Sequence, residues 1–236
     1  MQLPKLDKPV FELMVPSQDK KVKIRPFTVK EEKILLMAQQ SGDEKEIILA
    51  IKQVLNNCIV DAGFDVDKLA TFDLEYMFLK LRARSVNNVI EVSYRDNEDD
   101  KVYDFEINLD EVDMLKKKEL SNVIKITDTV GIKMKYPSVT IIDDAPTGVS
   151  AAELVEYLVR KCIDVVYEGE NVYPADEFPD EEMAAWVDDL DIESFGKIRE
   201  FFDNLPSMYY KIEYTNSIGN ERTIELTTLS DFFTWR

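Results

Sequence analysis

The chain contains no histidine, so a Ser-His-Asp triad, a Cys-His nucleophile and a histidine-ligated zinc are all excluded for want of the base or ligand itself. Any catalysis would have to run on carboxylates, lysine or tyrosine. Only two cysteines, Cys58 and Cys162, occur in 236 residues, and they have no metal-ligand spacing. Each lies at the end of an apolar helical stripe, which predicts a small buried hydrophobe more than a disulfide partner. Glycine is scarce as well: seven residues are scattered without GxGxxG or phosphate-loop spacing, so a nucleotide site has no support. No apolar run approaches the ~20 residues that span a bilayer. The opening Met1-Gln-Leu-Pro-Lys-Leu-Asp-Lys-Pro9 carries no apolar core of the secretory type, and an intracellular place is expected.

Positive charge is also short. Lysine and arginine number 29 against 47 aspartates and glutamates, for a formal net charge of -18. Such a surface repels phosphate backbones and anionic membranes, so neither nucleic acid nor membrane is expected as a partner. It leaves a basic protein partner, or plain solubility and protection from premature association. What is present suits a folded protein: 45% of the chain is hydrophobic and 10% aromatic, and it is long enough for one large or two small domains.

The pattern reads as α+β. Pro9–Pro16 and Lys21–Pro26 alternate as strands around the turn Ser17–Lys20. Thr28 and Glu31 have capping-box spacing, and Ile47, Ile48, Ile51, Val54, Leu55, Cys58 and Ile59 step three and four at a time as one helical face. Thr71–Arg84 reads as a further helix, and residues 89–95 and 101–108 as a hairpin with the acidic tip Asp96-Asn-Glu-Asp-Asp100. The second half repeats the order. It has a strand at Gly131–Tyr136 and a helix behind the capping box Ser150/Glu153. Helices at 180–188 and 192–204 and a hairpin of Met208–Thr215 with Glu221–Leu226 complete it. Val22-Lys-Ile-Arg25 matches Ile132-Lys-Met-Lys135, Cys58-Ile59 matches Cys162-Ile163, and Ile90–Tyr94 matches Tyr210–Tyr214. The expectation is two related lobes, residues 1–113 and 114–236, each with strands, two or more helices and a hairpin. They would have arisen by internal duplication and would either stand apart or pack as one continuous unit. Chance similarity between common elements is the competing explanation.

Acidic clusters recur at Asp96–Asp100, Asp110–Asp113, Asp180–Glu182 and Asp188–Asp191. With acids this abundant, a solvated turn is the favoured reading over a Mg²⁺ or Ca²⁺ site, and the hairpin tip lacks the glycine and terminal glutamate of an EF-hand loop. No catalytic residue, metal ligand or cofactor is assigned. The end of the chain is more informative, because Leu229, Phe232, Phe233 and Trp235 gather apolar and aromatic side chains there. One reading is a short last helix capped by Ser230 that plugs the core. The other is an aromatic anchor for a partner, in which case deleting residues 229–236 abolishes capture and leaves folding cooperative.

Three segments carry a family resemblance. Lys21–Glu32 resembles the opening of the baseplate hub subunit and hub-assembly proteins of T4-like contractile-tailed bacteriophages. Phe105–Val112 looks like the segment after that family's central hairpin, and Ile224–Phe233 is similar to its C-terminus. The resemblance implies a non-catalytic tail protein that binds baseplate hub proteins while the central hub is assembled in the host cytoplasm. The alternative is a stoichiometric subunit of the virion baseplate, and a carboxylate-dependent metal hydrolase comes third. Relatives of this pattern carry cysteine pairs in the hairpin turns. Here those turns read Asp96–Asp100 and Asn216–Asn220, so the resemblance carries no metal knuckle over to this chain.

Overall fold

The computed structural model describes residue 4, residues 6–115 and residues 121–232. These residues divide into two compact units, one running to Leu115 and resuming at Ser207, the other spanning the residues between. In chain order the first opens with strands β1 (Phe11–Val15) and β2 (Lys20–Ile24). Helices α1 (Val29–Ser41), α2 (Glu44–Cys58) and α3 (Thr71–Ser85) follow, then β3 (Val89–Arg95), β4 (Val102–Asn108) and β5 (Asp113–Leu115). The second unit contains β6 (Val123–Lys125), β7 (Val130–Met134), α4 (Val139–Asp143), α5 (Ala151–Cys162), β8 (Ile163–Glu168), β9 (Asn171–Pro174), α6 (Asp180–Asp188) and α7 (Ile192–Asp203). The chain then returns to the first unit with β10 (Ser207–Thr215), β11 (Glu221–Leu226) and the short α8 (Leu229–Phe232). The α+β class holds, and both expected capping boxes are present at the starts of α1 and α5.

In the larger unit β1 and β2 pair antiparallel in the register Phe11↔Ile24 to Val15↔Lys20. Alternation sends Val15, Val22 and Ile24 inward, where they are fully buried along with Ile51, Val54 and Leu55 of α2 and Leu74 and Met77 of α3. Two polar contacts fix α3 in place. Asp73, itself buried, accepts from the Ser17 N–H at 2.8 Å and from the Ser17 hydroxyl, tying the β1–β2 turn to the helix. Lys80 donates to the carbonyls of Leu109, Asp110 and Val112 at 2.8, 2.9 and 2.6 Å, pinning the segment after β4. Burial lowers its pKa below the ordinary lysine value, against the pull of Asp110 and Asp113.

A second core in this unit joins Leu79 and Ala83 of α3 to Ile90 and Val92 of β3, Ile107 of β4, Met208 and Ile212 of β10, Leu226 of β11 and Phe232 of α8. The two hairpins, β3–β4 and β10–β11, thus share one core although residues 109–206 separate them. β5 extends the β10–β11 pair to three strands through Ser207↔Leu115, Met208↔Met114 and Tyr209↔Asp113. The smaller unit is a four-stranded antiparallel sheet in the order β6-β7-β8-β9, with Ile132, Met134, Val159, Cys162, Ile163, Ile198 and Phe201 fully or nearly fully buried.

One local arrangement occurs in both units. The Arg25 N–H, just past β2, donates to the Cys58 carbonyl at 2.9 Å, and the Lys135 N–H, just past β7, donates to the Cys162 carbonyl at 2.7 Å. Both cysteines are free and fully buried, and burial pushes their thiols up to about 11 and about 12. They are inert hydrophobes at two matched strand–helix junctions.

Candidate partner-binding surface

The acidic hairpin tip is solvated at Asn97, Glu98 and Asp100 but buried at Asp96. Asp96 is 3% exposed, and its carboxylate accepts from the Tyr214 hydroxyl at 2.6 Å and the Glu98 N–H at 2.7 Å, with Arg222 Nε at 3.2 Å. Glu98 accepts from the side-chain amides of Asn216 and Asn220 at 2.9 and 3.0 Å and pairs with Arg222 at 2.8 Å. Asp99 accepts from the Ser217 N–H and hydroxyl at 3.0 and 2.7 Å. The two hairpin turns therefore hold each other through charge-assisted hydrogen bonds. Tyr214 foremost keeps Asp96 below the ordinary carboxylate range, and Tyr103 foremost does the same for Asp99. The sequence expectation of a solvated tip holds for its exposed residues and misses Asp96, whose partner Tyr214 lies 118 residues away in the chain. Among the described residues, no group of three or more acids or cysteines could hold a metal ion.

A groove of about 650 Å³ opens on the same unit, between α1, the end of α3 and the start of β3. Leu35 and Leu36 of α1, Phe78 of α3 and Val89 of β3 form its apolar lining, with Phe232 among the lining residues and Glu32 and Glu91 on its polar side. Leu36 is 49% exposed and Val86, at the mouth, 59%. An amphipathic helix normally turns its apolar stripe to the core. Here α1 keeps Leu36 and Met37 facing solvent, apolar surface of the kind that interfaces use.

Of the four residues singled out at the chain end, Leu229 packs partly buried against the core and Phe232 is 1% exposed within it. Phe233 and Trp235 lie outside the described residues. The cap of α8 differs from the expected one. The Asp231 carboxylate accepts from the N–H groups of Thr227 and Thr228 at 2.8 Å each, while Ser230 lies 3.0 Å from the Thr228 hydroxyl. Deleting residues 229–236 would therefore take away core as well as tail, and a clean test of the tail removes only residues 233–236.

Glu75 of α3 faces Asp231. Burial pushes its carboxyl up to about 7, and the Asp231 charge adds to the effect. A carboxyl raised above its ordinary 4.5 contributes stability that is complete below that pH and lost as pH rises through about 7. Glu75→Gln removes the penalty. Urea unfolding should show the variant equal to the parent at pH 4 and more stable at pH 8 by about 1–2 kcal/mol, a figure reduced for partial exposure. Equal stability at both pH values would refute it.

Residues 8–234 match the model of the family described as T4 bacteriophage base plate protein, which is nearly the whole chain. No curated protein and no solved structure matches.

Proposed function

We propose that this chain, which belongs to the T4 bacteriophage base plate protein family, binds hub proteins non-catalytically while the central hub of the base plate is assembled. The observation that carries the reading is the groove on the larger unit, where α1 leaves Leu36 exposed over an apolar lining. A helper that holds partners needs apolar docking surface and enough charge to stay dispersed, and a net charge of -18 supplies the second. Phe233 and Trp235, which follow directly on the Phe232 that lines the groove, are proposed as further anchors. The host cytoplasm is the proposed place of action.

The test is to tag the chain in phage-infected cells and compare its partners in the lysate with the contents of purified particles. Recovery with hub proteins in the lysate and absence from particles is the expected result. A fixed ratio in both would make the chain a stoichiometric subunit of the baseplate. No protein partner at all would sink the proposal. Two variants locate the surface: Leu36→Glu, and a chain ending at Phe232, should each weaken capture at least about tenfold, the loss of one interface anchor. Undiminished capture by both would move the site elsewhere.

A further inference from the structure

The smaller unit contains a pocket that the groove reading does not use. It has a volume of about 290 Å³ and is lined by the rings of Tyr173, Phe178 and Trp186, the carboxylate side chains Glu168 and Glu182, and Met183. By volume it has room for roughly ten waters, which suits one long side chain and is at the low end for a small-molecule site.

Three elements build it. Glu168 ends β8, paired with Val130 on one side and Asn171 on the other, and Tyr173 of β9 pairs with Val166. Phe178 lies just before Pro179, the N-cap of α6, and its ring is 6.4 Å from that of Tyr173 at 60°. Glu182 and Trp186 are four residues apart on α6 and so share a face, with buried Met183 beside them. The three aromatic rings are all half-buried.

The two carboxylates set the chemistry. At the start of the same helix, Asp180 is taken up internally by Arg160 at 3.1 Å and Lys161 at 2.6 Å. The carboxylates of Glu168 and Glu182 have no ion pair or hydrogen bond among the described residues. Three aromatic rings with two unpaired carboxylates attract a cation: ring quadrupoles draw positive charge, and the carboxylates neutralise it. A guanidinium answers both features, because it is planar, stacks on aromatic rings and offers a fork of N–H donors to carboxylates. An ammonium provides a point charge without the stacking plane.

We infer that this pocket is a cage for an arginine side chain presented by a basic segment of a protein partner. That the arginine belongs to a partner protein rests on the function proposed above. The cage itself is tested without that partner. In a Trp235→Phe background Trp186 is the only tryptophan, and its fluorescence reports the pocket. Titration with the blocked tripeptide Gly-Arg-Gly at constant ionic strength should give a saturable change in the millimolar range, as befits one anchored side chain. Gly-Lys-Gly should bind more weakly and Gly-Leu-Gly should give no saturable change. Glu168→Gln/Glu182→Gln should weaken the arginine response at least about tenfold. Both glutamates are exposed, so circular dichroism should show this double variant folded.

No saturable change up to about 100 mM arginine peptide would overturn the cage, since this corresponds to less than about 1.4 kcal/mol of binding. So would an equal response to the leucine peptide, or an unaltered response in the double variant. Loss of the cage with hub-protein capture intact would leave the proposed function standing. A responsive cage in a chain that captures nothing would leave the cage and remove the function.

Discussion

Phe232→Ala should destabilise the larger unit by about 3–5 kcal/mol, the usual loss for an aromatic side chain deleted from a packed core. Phe232 is 1% exposed and belongs to the core that joins α3, both hairpins and the strand ends Met208 and Leu226. The short helix that carries it has little stability of its own, because four residues cannot offset the cost of nucleation. Asp231 supplies the cap, and the Tyr94 hydroxyl donates to the Asp231 carbonyl at 3.2 Å, so position 232 is held from two sides. With domain stabilities of about 5–15 kcal/mol, a loss of this size shifts the urea midpoint far or unfolds the unit at 37 °C. A chain ending at Phe232 should unfold at the parent's midpoint. A loss below about 1 kcal/mol for Phe232→Ala would show that the end of the chain is dispensable to the core.

The second large effect is expected at Glu31, a carboxylate 3% exposed at the start of α1. It accepts from the Thr28 N–H at 2.8 Å, the Thr28 hydroxyl at 2.5 Å and Arg25 Nη2 at 3.0 Å. Arg25 also donates to the Asn57 carbonyl at 2.8 Å, so the pair joins the end of β2, the cap of α1 and the end of α2. Burial alone would raise the Glu31 pKa. The hydrogen bonds from Arg25 and Thr28 together outweigh it and hold the carboxyl at about 2. Glu31→Ala should cost about 2–4 kcal/mol, combining a lost cap with a half-buried guanidinium left without its carboxylate. The sign of the pH effect follows from the direction of the shift. A depressed carboxyl contributes stability that is present above its ordinary 4.5 and lost as pH falls toward about 2. Urea midpoints between pH 6 and pH 2 should therefore converge for parent and variant in acid. A gap that stays constant over this range would rule out the ion pair as the cause.

Helices and hairpins that follow local rules were legible in the order of residues. Thr28/Glu31 and Ser150/Glu153 announced two helix starts, and the alternation in Val89–Asn108 announced a hairpin. β8 was not read, because the apolar stripe of α5 runs through Cys162 into Ile163 without a breaker. The signal was there in the β-branched Ile163, Val165 and Val166 followed by Gly169, whose φ of +60° makes the turn into β9. The short β5, β6 and β9 carry too few residues for alternation to show. The same strand–cysteine junction occurs at Arg25/Cys58 and at Lys135/Cys162, positions that fall in matching segments of the sequence.

The sites were less legible. Leu36 and Met37 look like core residues in a helix, and only the packing leaves them exposed. The cage draws Tyr173, Phe178 and Trp186 from a strand, a loop and a helix, with no spacing that marks them as a set.

By itself, the order of residues determined the α+β class, the strong helices, the two main hairpins, the buried cysteines and the exclusion of histidine chemistry. Each of these depends on residue type, or on neighbours within about four positions, where periodicity and capping act. The tertiary structure alone decided that the β10–β11 hairpin shares a core with α3 and β3. It alone decided that an acidic turn is clamped by Tyr214, Asn216 and Arg222, and that Phe232 is core while Glu168 and Glu182 stay unpaired. Those are contacts between residues far apart in the chain, and no local pattern encodes which distant face will close on which.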